Sequence, residues 1–288
     1  MSTARCEVCF RHCTLAEGQS GFCGGRICRD GKVLPLNYGR ITSLALDPIE
    51  KKPLNRFFPG SMILSVGSFG CDMRCPFCQN DSISWSKEAL SLSESAEKIT
   101  PEDLARTAEY YKKDGNIGVA FTYNEPLIGW EFVRDTARLV HRKSMKNVMV
   151  TNGMAELSVL KELIPYIDGM NIDLKSFNEK TYRDILGGDM EMVKNFIAEA
   201  VKNCHVELTF LAVTDLNDTE EEMRETAGWI STLTDNEGNT IGRNIPLHIS
   251  RFFPRFNMND RSATDVRRVY RLADIAREYL DYVYTGNC

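Results

Sequence analysis

Short apolar runs alternate with amphipathic stretches over most of this chain, and no other feature limits its fold as strongly. Residues 63–69, 117–123, 147–151, 167–174, 206–213 and 245–249 read as strands, with a last short one at 282–284. The stretches 101–114, 131–143, 155–163, 178–203, 219–234 and 264–279 read as helices. Local chemistry marks their ends. Thr100 stands as N-cap before Pro101, Thr219 and Glu222 have capping-box spacing, Pro165 stops one helix, and Gly187-Gly188 breaks another. Six strand-then-helix units predict an α/β protein with a parallel sheet covered by helices. That sheet is either open and doubly wound or a partial barrel, and in both cases ligands gather at the carboxyl ends of the strands.

Five polar clusters fall at those ends. The loop 71–78 follows the first strand, Tyr123-Asn124-Glu125-Pro126 the second and Thr151-Asn152-Gly153 the third. Asp173-Leu174-Lys175 ends the fourth, and His248-Ile249-Ser250-Arg251 ends the sixth. No G-x-G-x-x-G follows the first strand, which weakens a dinucleotide reading. Instead Cys71, Cys75 and Cys78 stand as C-x3-C-x2-C. Three thiolates from one loop can hold three corners of a four-iron cluster and leave the fourth iron without a protein ligand. Structural zinc wants four closed ligands, and the next cysteine is Cys204.

Residues 1–40 differ from the rest and read as a Cys-rich metal-binding segment ahead of a core at 41–288. Cys6, Cys9, Cys13 and Cys23 supply four thiolates, enough for Zn2+ or for a second iron–sulfur cluster, with Cys28 as a spare. A segment this short builds little core, so a metal is the expected staple. The net charge of −5 offers no broad basic field, and no apolar run nears the roughly 20 residues of a membrane span. Nucleic acid and membrane are therefore not expected partners. Ten cysteines without an apolar leader point to a reducing cytoplasm and to metal chemistry.

The C-x3-C-x2-C loop and the clusters around it resemble the radical S-adenosylmethionine (SAM) superfamily. Leu46-Asp47-Pro48-Ile49-Glu50-Lys51-Lys52-Pro53-Leu54, Phe58-Pro59-Gly60-Ser61, Phe77-Cys78-Gln79-Asn80, Pro165-Tyr166-Ile167-Asp168 and Tyr282-Val283-Tyr284-Thr285-Gly286-Asn287 look like one branch of it. That branch is the radical SAM component of the AmmeMemoRadiSam system, similar to pyruvate formate-lyase activating enzymes. The resemblance spans nearly the whole chain, cysteine segment included. It implies a partial (β/α)6 TIM-type barrel rather than an open sheet. It also implies a [4Fe-4S] cluster on Cys71, Cys75 and Cys78 whose open iron chelates SAM. Reductive cleavage would then yield methionine and a 5′-deoxyadenosyl radical that abstracts hydrogen from a substrate.

The resemblance also distributes roles. Phe77 would lie against the SAM adenine and Glu125 would receive the SAM amino group. Thr151 and Asn152 would meet the ribose or a cation, Asp173 would help bind a monovalent cation, Lys175 would meet the SAM carboxylate, and His248 would line the site. The implied partners are an electron donor such as flavodoxin or ferredoxin, proteins of the same system, and a substrate. That substrate is either a protein given a glycyl radical or a small molecule. The rival outside the enzyme class, a non-catalytic iron–sulfur or zinc protein, predicts four-cysteine ligation at every site.

Overall fold

The computed structural model describes residues 3–288, so the first two positions of the 1–40 segment lie outside it. Eight strands form the main sheet: β1 (Ser43–Pro48), β2 (Met62–Gly67), β3 (Asn116–Phe121), β4 (Lys146–Thr151), β5 (Gly169–Asp173), β6 (His205–Ala212), β7 (Leu247–Arg251) and β8 (Val283–Gly286). They lie side by side in chain order. β2 to β8 are all parallel, and β1 runs antiparallel to β2 at the edge. Each crossover from β2 onward carries a helix: α1 (Pro101–Tyr110), α2 (Trp130–Arg142), α3 (Leu157–Leu163), α4 (Met190–Ala200), α5 (Glu220–Ser231) and α6 (Val266–Arg277).

A doubly wound sheet reverses its strand order at a switch point. This order never reverses, so right-handed crossovers lay every helix on the same face and the sheet curls. Among the described residues β1 and β8 do not pair with each other, which leaves a partial barrel. The expected (β/α)6 architecture is the observed one. β1 is an addition, since residues 43–48 are not among the strands read from the sequence. No helix among the described residues is long and apolar enough to cross a membrane.

Strand alternation sorts the side chains. Met170, Ile172, Leu208, Phe210, Leu247 and Ile249 are buried in one apolar cluster with Phe196, Ile230 and Leu272 of the helices. Registers place Asn171 beside Glu207, Asp173 beside Thr209, Thr209 beside His248, and His248 beside Tyr284. The opposite, concave face is therefore polar. The segment after β1 closes the amino-terminal end of the barrel. Ile49, Leu54 and Phe57 pack with Ile63, Ala120 and Val148 into a small separate apolar cluster. Asn171 Nδ2 donates to the Pro53 carbonyl at 2.8 Å.

Several end signals hold. Thr100 Oγ1 accepts from the Asp103 N–H at 3.1 Å, with Pro101 opening α1. The 178–203 stretch divides into a π-helical turn, Thr181–Leu186, and α4, with Gly187 at φ +63° between them. The capping box at Thr219 forms by half only. Thr219 Oγ1 accepts from the Glu222 N–H at 3.2 Å, but the Glu222 carboxylate turns away to accept from Ser176 Oγ and from the Phe177 N–H. Holding the loop after β5 replaces the reciprocal cap.

The cysteine segment contains two hairpins, Thr3–Arg5 with Thr14–Ala16 and Arg26–Arg29 with Lys32–Pro35. Asp30-Gly31, at φ +51° and +67°, makes the tight turn of the second. The segment is fastened to the barrel at separate points. Arg26 forks onto Glu131 of α2 at 2.8 and 3.0 Å, the Glu156 N–H donates to the Val8 carbonyl at 2.8 Å, and the Cys71 N–H donates to the Cys23 carbonyl at 3.0 Å.

Candidate active site

The cysteine loop leaves the carboxyl end of β2 through Gly70, whose φ is +92°. A Cβ at this position would stand 2.7 Å from the Cys23 carbonyl oxygen and 3.1 Å from the Gly25 nitrogen. Only glycine permits both the left-handed turn and this close approach. Gly70→Ala is expected to cost about 1–3 kcal/mol in backbone strain alone, read as a lowered denaturation midpoint; an unchanged midpoint would refute the role.

Beyond Gly70, Cys75 is buried and Cys71 and Cys78 are half-buried. Burial pushes all three thiols up, Cys75 to about 12. Such thiols stay protonated near neutral pH unless a metal draws off the proton. Lys175 works the other way on Cys75 and Cys78, favouring the thiolates. Three soft donors on one loop, beside a cation, fit an iron–sulfur cluster with an open corner.

β5 and its following loop supply that cation. Lys175 Nζ lies 2.8 Å from Asp173 Oδ2. Burial would depress the Lys175 pKa, but Asp173 and then Cys75 outweigh it and raise it. Lys175 sits two residues past the strand end, where its N–H donates to the buried Tyr182 hydroxyl at 2.9 Å and its carbonyl accepts from Asn217 at 2.7 Å. Asp173 therefore faces Lys175 in this structure.

The ends of β3 and β4 meet the cysteine loop through buried polar groups. Glu125 is 3% exposed and accepts from Thr151 Oγ1 at 2.6 Å, from the Asn152 N–H at 2.8 Å and from the Leu127 N–H at 3.0 Å. Burial first, and then the Asp72 charge, push its pKa up to about 8 against those donors. Asn152 Nδ2 donates to Asp72 Oδ1 at 2.9 Å and lies 3.8 Å from Cys71 Sγ. Asp72 Oδ2 is buried without a partner among the described residues. Glu125, Thr151 and Asn152 are thus gathered beside Cys71, with every Glu125 contact made inside the protein. Phe77 is buried in the main apolar cluster.

His248 departs most from expectation. It is the second residue of β7, not the end of a strand. Its Nε2 lies 2.6 Å from Glu207 Oε2, and its ring stacks on Tyr284 with centroids 5.2 Å apart. Glu207 was not anticipated. It is fully buried, and it also takes His205 Nε2 at 2.9 Å and the N–H groups of Asn55 and Arg56 at 3.0 and 2.7 Å. The signal was available: a carboxylate at an alternating position of an apolar strand must point into the barrel. Arg251 likewise serves the fold, donating Nε to the Thr264 carbonyl at 2.6 Å.

The loop after β7 crosses to the cysteine loop. The Asn257 N–H donates to the Pro76 carbonyl at 2.9 Å, and Phe256 meets Trp85 edge to face at 4.9 Å. Together with the plug at residues 49–57, it brackets the polar concave face from both ends of the strands.

Comparison with known proteins gives a consistent picture. The pattern describing the Radical SAM superfamily matches residues 65–230. The chain is 36% identical to an uncharacterized protein of Methanocaldococcus jannaschii over 98% of this chain and 81% of that one. It is 27% identical to the pyruvate formate-lyase 1-activating enzyme of Escherichia coli over 53% of this chain and 61% of the enzyme, less than two thirds of its length. A domain of the pyruvate-formate lyase-activating enzyme from Bacteroides vulgatus superposes with a TM-score of 0.50 at 15% identity, covering 59% of this chain and 98% of that one. Streptococcus suis SuiB bound to S-adenosylmethionine gives 0.54 at 14% identity, covering 76% of this chain and 48% of that one. At such identities the two structures speak for the fold alone.

Proposed function

This chain belongs to the radical SAM superfamily, and we propose that it is an enzyme that cleaves SAM reductively and uses the resulting radical to take hydrogen from a small molecule. When bound, the [4Fe-4S] cluster and SAM supply that chemistry: one electron splits SAM into methionine and a 5′-deoxyadenosyl radical. The protein's share is to bind, orient and exclude water. Cys71, Cys75 and Cys78 would hold the cluster. The Lys175 ammonium would meet the SAM carboxylate as a charge-assisted donor. Glu125, fixed by Thr151 and Asn152, would receive the SAM amino group, while Phe77 covers the adenine side and Asp173 orients Lys175 or a monovalent cation. His248 would act through Glu207, lining the concave face. Residues 1–40 form a metal-binding segment in this reading, with Cys6, Cys9, Cys13 and Cys23 as ligands, and residues 41–288 form the barrel core.

The observation that carries the proposal is the set of three thiols on one loop, one buried and two half-buried, beside the Lys175–Asp173 pair at 2.8 Å. The loop bridging β7 to Pro76 supports a small substrate over a protein, because enclosed concave sites suit small ligands. The alternative is an activase that makes a glycyl radical on a protein partner; it draws support from the partial likeness to an activating enzyme. A low-potential donor of the flavodoxin or ferredoxin class and a reducing cytoplasm complete the proposal, with proteins of the AmmeMemoRadiSam system as companions.

The decisive experiment is oxygen-free reconstitution with iron, sulfide, reductant and SAM. We expect 5′-deoxyadenosine, and its absence from a fully loaded cluster would overturn the proposal. Lys175→Met is expected to weaken SAM binding about 10- to 100-fold, the worth of a charge-assisted hydrogen bond, with cluster iron unchanged. Titration calorimetry would read the first and metal analysis the second.

A further inference from the structure

Cys6, Cys9, Cys13 and Cys23 stand around a single, largely enclosed cavity whose walls also include Arg11 and Arg26. Cys28, the spare thiol, is buried on the Arg26–Arg29 strand and is not part of those walls. We infer that this cavity takes a second iron–sulfur cluster rather than one zinc ion, and that the cluster passes electrons to the 71–78 loop. The second half rests on the radical SAM reading above.

Geometry separates cluster from ion. Four thiolates on one zinc must each lie about 2.3 Å from a common point, which leaves no room between them. These four cysteines line a cavity instead. Among the described residues no three Cys, His, Asp or Glu side chains converge on a point that one ion could hold. The same is true of Cys71, Cys75 and Cys78, where the family implies four irons. A cluster also accepts hydrogen bonds at its sulfurs, which tune its potential. Arg26 is 5% exposed, and its Nε is buried with no partner among the described residues. That orphaned donor belongs to a wall of the cavity.

Placement argues for electron transfer. Cys23 and Cys71, one from each ligand set, are joined directly by the 3.0 Å hydrogen bond from the Cys71 N–H to the Cys23 carbonyl. Phe22, next to Cys23, lies between two guanidinium groups, Arg11 at 3.5 Å and Arg74 of the cysteine loop at 3.7 Å. Arg11 Nε donates to the Asp72 carbonyl at 2.9 Å. A merely structural staple has no need to be set against the redox loop. In the transfer, a reduced flavodoxin- or ferredoxin-class donor would be oxidised by one electron, with Cys6, Cys9, Cys13 and Cys23 holding the cluster that would receive it and Cys71, Cys75 and Cys78 holding the cluster that would be reduced in turn. No bond forms or breaks, and no proton moves.

Iron, zinc and sulfide would be measured on anaerobically prepared wild type, on Cys71→Ala/Cys75→Ala/Cys78→Ala and on Cys9→Ser/Cys13→Ser. About eight irons per chain are expected in the wild type and about four in each variant, with no stoichiometric zinc. Mössbauer spectra of the wild type count the clusters without any variant, should one fail to fold. Iron-free triple-alanine protein, or one zinc lost in Cys9→Ser/Cys13→Ser, would overturn the assignment. Stopped-flow reduction of the 71–78 cluster by reduced flavodoxin should slow at least about tenfold in Cys9→Ser/Cys13→Ser, and an unchanged rate would overturn the relay. Failure of the radical SAM reading looks different: the amino-terminal cluster present and reducible, but no SAM cleavage.

Discussion

Cys75→Ala is expected to lower 5′-deoxyadenosine formation at least about a thousandfold, to the background of protein without a cluster. Cys75 is the most enclosed of the three loop thiols, at 7% exposure, and it is the one Lys175 acts on most directly. Removing it leaves two thiols for a cluster that needs three. The next cysteine in sequence, Cys204, bonds instead to the Ala200 carbonyl at 3.7 Å. Cys204→Ala should retain activity within a factor of about two, because Cys204 stands just before β6, at the end of the barrel opposite the cysteine loop. Chromatographic product assay on both variants makes the comparison, with iron analysis alongside. Turnover surviving in Cys75→Ala would remove the basis of the proposed chemistry.

The second large effect is structural. Glu207→Leu is expected to destabilise the protein by about 3–5 kcal/mol, the scale for stripping one partner from a buried charged network. The change leaves the Asn55 and Arg56 N–H groups and the imidazoles of His205 and His248 without their shared acceptor. It would loosen both the plug and the concave face. Burial works to raise the Glu207 pKa, but the two histidines and the Arg56 N–H outweigh it and hold the group at about 2, below its ordinary 4.5. A depressed carboxylate stabilises the fold fully above the unfolded value. That contribution fades as pH falls from about 4.5 toward about 2. Wild-type denaturation midpoints should therefore drop across that window more steeply than those of Glu207→Leu. Parallel curves would show that the carboxylate is not held as described.

Much of this was legible because the relevant signals are local. The alternation of apolar runs marked the six crossover helices named above and seven of the eight sheet strands, though not the short helix Lys87–Ser95, and the Thr100-Pro101 and Gly187 end signals act within one turn of chain. β1 was missed because a short edge strand that ends in Pro48 carries little pattern to set it apart from a loop. Glu222 was misread because its carboxylate faced two candidate partners, and only packing decided for Ser176 and Phe177. His248 was placed at a strand end because the apolar run stops at Ile249, ahead of Ser250 and Arg251. In fact β7 runs on to Arg251.

What the sequence determined by itself is the chemistry available: three thiols at fixed spacing, an acid and a lysine two residues apart, and the strand ends on which they sit. Spacing along a chain is enough for that, since neighbouring residues cannot separate. Only the tertiary structure decided which distant groups meet. The curl of the barrel set Glu207 against His248, brought Asn257 to Pro76 and laid Cys23 on Cys71. Such contacts depend on how the sheet closes, and nothing local in the chain encodes where two far-apart strands will face each other.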